Sequence, residues 1–137
     1  MQYHTKEEVH SPTVNMASVM LTAVIEAREK RDTRVHDVPN AFCQADNDDR
    51  VIMKIKGKAA EYLVLADPRL YRKYVRIERG VTVLYVELKR ALYGQLKAAL
   101  LFYKKFVKDL QGIGFVLNPY DPCVANRMVE GSQHTIC

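Results

Sequence analysis

A chain of 137 residues, 48% apolar and 27% charged, is long enough for one packed domain that buries about two thirds of its unfolded surface. No apolar run reaches the roughly 18 residues of a membrane span, and Cys43, Cys123 and Cys137 are too scattered for a disulfide framework or a zinc site. Lysine and arginine outnumber aspartate and glutamate by five, a balance that permits phosphate contacts but more often marks only a solvated surface.

The start, MQYHTKEEVHSPT, lacks the basic-then-apolar pattern of a secretion signal. With free thiols expected, the location predicted is intracellular and reducing, with cytoplasm and nucleus not distinguished. His4, His10, His36 and His134 are scattered and none reads as a metal ligand. VNMASVMLTAVIEAREKRD predicts the first helix, with Asn15 or Ser18 as its cap, and with Val19, Val24, Ala27, Met20, Ala23 and Ile25 as a broad apolar face. TRVHDV reads as a short strand carrying Asp37 near its end. ADNDD reads as a hydrated acidic turn, and RVIMKIKG as a strand by its alternation.

KAAEYLVLADP predicts a short helix stopped by Pro68. YVRIERGVTVLYVELKR predicts a hairpin about Glu78, Arg79 and Gly80. QLKAALLFYKKFVKDLQG predicts a long helix whose apolar positions are 96, 99, 100, 103, 106, 107 and 110, with Gly112 at its carboxyl end. DPCVANRMVEGSQHTIC predicts two strands about Glu130, Gly131 and Ser132. Strands adjoin strands here, so the class expected is α+β with antiparallel pairing and not a doubly wound sheet. No repeat, linker or low-complexity stretch marks a boundary between two domains.

Four blocks carry a resemblance. HDVPNAF, residues 36 to 42, resembles the first catalytic motif of reverse transcriptases. RALYG at 90 to 94 resembles a block of copia-type retrotransposon polymerases. SPTV at 11 to 14 resembles the Ser-Pro-x-Val ahead of that family's first palm helix. GFVLNPYDPCVANR at 114 to 127 resembles the run leading to the strand before its second catalytic motif. All four stand in family order at family-like spacing. After RALYG the family commonly continues Leu-Lys-Gln-Ala-Pro, where this chain has Gln95-Leu96-Lys97-Ala98-Ala99.

The resemblance implies a partial palm, an antiparallel sheet packed against two main helices over residues 11–137, after a ten-residue N-terminal remnant. It implies RNA-directed DNA polymerase chemistry, in which two metal ions about 3.5–4 Å apart activate a primer hydroxyl against a nucleoside triphosphate. Carboxylates suit Mg²⁺, the cofactor expected of the intact enzyme. Asp37 takes the role of catalytic metal ligand, with the Val38 carbonyl as a second ligand; by itself, such an aspartate more often starts an Asx-turn before a proline. Phe42 takes the place beneath the nucleotide sugar, with Ala41 beside it at the nucleotide site and small enough for close packing, although an arbitrary phenylalanine is more often core.

Gly94 reads equally as a close approach to nucleotide or template and as a glycine that starts a helix. Lys97, Lys104 and Lys105, with Lys108, reach for template–primer phosphates or form a solvated face. The family's aromatic-x-Asp-Asp does not occur, so the fragment is expected to be inactive alone. Its implied partners are an RNA or DNA template–primer and a deoxynucleotide, within a parent polyprotein bearing integrase and RNase H. The alternative is a domesticated nucleic-acid-binding module without catalysis.

Overall fold

The computed structural model describes residues 9–137, so most of the expected N-terminal remnant, including His4, lies outside the described residues. Two units form: one from the segment ending at Ala45 together with Ala91–Cys137, the other from Asp46–Arg90. Each combines helix with antiparallel sheet, so the fold is mixed α+β. In place of a single sheet there are two three-stranded ones, one per unit. No helix among the described residues is long and apolar enough to cross a membrane.

In the first unit, helix α1 spans Met16–Glu29. The Asn15 side chain accepts from the Ala17 amide at 2.9 Å, the expected cap. Lys30 ends the helix in the left-handed region, returning its amide to the Glu26 carbonyl. The apolar face is another matter. No α1 residue is buried, and Met16, Met20, Leu21 and Val24 are each at least 60% exposed. Periodicity made the helix without deciding what would cover it.

TRVHDV forms no strand, since residues 31–38 are irregular. Val35 is 96% exposed and Pro39 supplies no backbone donor, so no ladder is present to convert the alternation into pairing. A 3₁₀ turn, Ala41–Gln44, follows. The unit resumes where the Ala91 amide donates to the Ala45 carbonyl at 2.8 Å.

The long helix, which we call α4, spans Ala98–Gly112 and starts three residues later than expected. Residues 92–98 are taken by tight turns, with Gln95 N–H bonded to Leu92 and Ala98 N–H to Gln95. Its buried line also differs. Ala98, Leu101 and Leu110 are buried, with Phe102 and Phe106 packed beside them, and Leu96 lies outside the helix, 75% exposed. Gly112 is only the last helical residue. Gly114, at φ +89°, makes the left-handed reversal that brings the Phe115 amide back to the Leu110 carbonyl.

That reversal leads into β4 (Val116–Leu117), β5 (Ala125–Val129) and β6 (Ser132–Ile136), an antiparallel sheet in chain order. Leu110, Phe115 and Ala125 form its core with Phe106, Leu117 and Ile136. A second cluster joins Ala45, Ala91, Ala98 and Leu101 to Phe42 and Phe102.

The second unit begins with β1, Asp46–Lys56. The acidic run is therefore strand and not turn. Its register is irregular between Asp46 and Val51, where the Asn47 side-chain amide holds the Leu88 and Arg90 carbonyls at 2.8 and 2.9 Å. Helix α2 (Lys58–Ala66) ends before Pro68 as expected. Pro68 then opens one further turn, α3 (Pro68–Tyr71), capped by the Asp67 carboxylate on the Leu70 amide. Strands β2 (Val75–Glu78) and β3 (Val81–Arg90) form the expected hairpin about Arg79 and Gly80, whose positive φ values suit the strand twist. The sheet order is β1-β3-β2.

Candidate functional site

Asp37 sits exposed in the irregular segment before Pro39. The turn behind it is built locally. Asn40 adopts a left-handed φ of 51°, and the Gln44 side-chain amide donates to the Pro39 carbonyl at 3.0 Å. Together these set the chain into the 3₁₀ turn and place Ala41 and Phe42, both half-buried, against the rest of the unit. Val38 is half-buried as well.

Two of the sequence blocks meet here. The Phe42 and Tyr93 rings lie 4.6 Å apart at a 43° tilt, and Phe42 meets Phe102 edge-on at 6.4 Å. Phe42 is therefore a packing residue with a partly open ring. Tyr93 is 58% exposed against it. Gln95 braces the following loop by accepting from the Leu92 amide at 2.8 Å, while its side-chain Nε2 is buried without a partner.

Gly94 does not start a helix. Its φ of +95° is that of a turn, and a Cβ built there meets no atom within 4 Å. The cost of a side chain at this position is backbone strain and not collision. Gly94→Ala is expected to lose about 1–2 kcal/mol of stability, with Gly94→Asn milder, as read from urea midpoints. An unchanged midpoint in the alanine variant would remove this reading of the turn.

The lysines separate. Lys97 precedes α4 and is half-buried, and Lys104 is exposed. Lys105 pairs with Asp109 one turn along, so its charge is partly spent within the helix. Lys108 is exposed.

Asp121, which the sequence does not mark as a site, has a larger role in the structure. Its carboxylate is 5% exposed and accepts from the Cys123 amide and, across 106 residues, from the Asn15 amide, both at 2.9 Å. These bonds, led by one from the Ser18 hydroxyl, hold the Asp121 carboxyl below the ordinary aspartate range. Burial raises the Cys123 thiol, and the Asp121 charge adds to that. The only sequence signal was an aspartate between two prolines in an apolar run, which says nothing of a partner so distant.

Among the described residues no three histidines, cysteines, aspartates or glutamates converge. Asp37 alone, with a backbone carbonyl, does not make the donor set that two Mg²⁺ ions require. Comparison with protein-family models, with curated proteins and with solved structures returns no match.

Proposed function

We propose that the chain is part of a copia-type reverse-transcriptase palm that binds a template–primer and does not itself transfer nucleotides. One observation carries the reading. The four blocks that resemble the family are 11–14, 36–42, 90–94 and 114–127, and apart from Arg90 they all fall within one unit. There they touch in pairs: Asn15, just after SPTV, bonds to Asp121, and Phe42 of HDVPNAF packs on Tyr93 of RALYG. Segments 51 and 106 residues apart in the chain thus meet within the unit, which supports the reading.

In this reading Asp37 is the metal-ligating carboxylate of the intact enzyme, Phe42 and Ala41 flank the nucleotide, and Gly94 leaves the loop beside them without a side chain. Lys104 and Lys108 offer charge to the duplex backbone. The 137 residues hold no aromatic-x-Asp-Asp, so the second and third carboxylates are not supplied by this chain. The second reading is a nucleic-acid-binding module without catalysis.

The test is binding and primer extension on one RNA–DNA template–primer. The chain is expected to bind it with salt-dependent affinity and to add no nucleotide with Mg²⁺ present. Lys104→Glu is expected to weaken binding and, with one phosphate fewer neutralised, to flatten the salt slope by about 0.9. Extension by the purified chain would overturn the claim of inactivity. Absence of binding at low salt would end both readings.

A further inference from the structure

The Asp46–Arg90 unit holds eleven lysines and arginines against seven aspartates and glutamates, so it carries most of the chain's net charge of +5. Pairing sorts these charges by face. In the β1–β3 register Ile52 faces Glu87, Lys54 faces Tyr85 and Lys56 faces Val83, while in β2–β3 Arg76 faces Val83 as well. Directly opposed residues share a face. One side of the sheet therefore carries Lys54, Lys56, Arg76 and Tyr85, with Lys89 two residues beyond Glu87. Arg50, like Asp48 and Asp49, lies within the register irregularity between Asp46 and Val51.

The other side carries Val51, Met53, Ile55, Leu84, Val86 and Leu88, and there Thr82 donates to Glu61 of α2. That side is half-buried or better at every one of these positions. On the cationic side Ile52 is 47% exposed and Tyr85 40%, while Val83 is buried between Lys56 and Arg76; on the other side Ile77, opposite Thr82, is exposed.

The carboxylates on the cationic side are both engaged. Glu78 pairs with Lys54, accepts from the Tyr85 hydroxyl at 2.7 Å and feels Arg76. Glu87 pairs with Lys89 at 2.9 Å and feels Arg50. Within the regular register, four cations (Lys54, Lys56, Arg76 and Lys89) against two carboxylates leave an excess of positive charge along the strands. The acidic start of β1 lies past the register break, where Asp46 is within 3.9 Å of Arg90. Two anchors also hold the tyrosine ring: its hydroxyl on Glu78, and the Lys54 ammonium 5.4 Å from its centroid. A fixed, half-exposed aromatic ring in a row of cations is the pairing that base stacking and phosphate neutralisation require together.

From this geometry we propose that the cationic face of the β1-β3-β2 sheet binds single-stranded nucleic acid, with a base stacked on Tyr85 and phosphates along Lys56 and Arg76. The inference does not depend on Asp37 or on any polymerase chemistry. Along β1 Lys54 and Lys56 stand two residues apart, about 6.6 Å, with Ile52 next in the row, and Ile52 to Lys56 spans about 13 Å, room for two or three nucleotides. An anionic membrane would be drawn by the charge but has no use for an anchored ring within it. An acidic peptide would likewise be drawn without gaining from the ring.

The experiment is fluorescence anisotropy of the full chain with a labelled 20-nucleotide single strand, titrated between 50 and 200 mM salt. Lys56→Glu with Arg76→Glu is expected to weaken binding at least tenfold. The same pair should flatten the salt slope by about 1.4, because two fewer phosphates of the single strand are neutralised. Tyr85→Ala is expected to weaken binding by about tenfold at unchanged slope, and Tyr85→Phe, which keeps the ring, to stay within twofold. Both altered positions are on an exposed face, and a thermal melt matching the parent confirms an intact fold. Wild-type affinity in the double variant, or weakening only with Lys104→Glu, would overturn the proposal. So would binding to phosphatidylserine vesicles or polyglutamate with none to the oligonucleotide.

Discussion

Leu84→Ala is expected to cost about 2–5 kcal/mol and to leave the Asp46–Arg90 unit largely unfolded. Leu84 is 0% exposed on the central strand, opposite Ile55 on one side and Val75 on the other. Truncation removes a branched side chain from a position with neighbours on both flanks, and a strand hydrogen-bonded on both edges cannot shift to close the gap. Stability runs at roughly 0.05–0.15 kcal/mol per residue, so a unit of this length commands only a few kcal/mol. Loss and reserve are of the same size. The check is amide hydrogen exchange along β3, where protection at Leu84–Leu88 should fall at least tenfold. Retained protection would show that the side chain is not the keystone of this sheet.

Asp121→Asn is expected to be the most damaging single change in the first unit, and its effect should depend on pH. The carboxylate faces two amide N–H groups and the Ser18 hydroxyl. An asparagine keeps one acceptor oxygen and turns an NH₂ toward a donor, so a buried pair is broken instead of weakened. Because the native carboxyl is held below the ordinary aspartate value of about 3.9, its contribution is fully present above that value. It is lost as pH falls through the lower native value. The melting temperature of the wild type should therefore exceed that of the variant at pH 7, and the gap should close below about pH 4. A gap of constant size down to pH 2 would exclude the charge as its cause.

What could be read along the chain was local. The Asn15 cap, the stop before Pro68, the Arg79–Gly80 and Glu130–Gly131 turns and the alternation at Val51–Ile55 all express interactions within a few residues. Each was visible because its physical cause is contiguous. Where alternation lacked a partner strand, as at TRVHDV, the same signal misled. Where Asn47 could satisfy two β3 carbonyls, an acidic run that reads as a turn became strand.

The candidate site divides in the same way. Asp37, Ala41 and Phe42 were picked out by resemblance, and their turn is a local construction of Pro39, Asn40 and Gln44. That Phe42 meets Tyr93 and Phe102, and that Lys105 is partly neutralised by Asp109, belongs to packing.

By itself the sequence determined the main helices, the hairpins and the mixed class. Only the tertiary structure decided that Asp121 ties down the start of α1, that the apolar side of α1 stays open, and that lysines and arginines of the central segment share one sheet face. Periodicity tells a residue which way to point relative to its own neighbours. What it points at is a contact with residues far along the chain, whose formation depends on the competition among all surfaces that folding brings within reach.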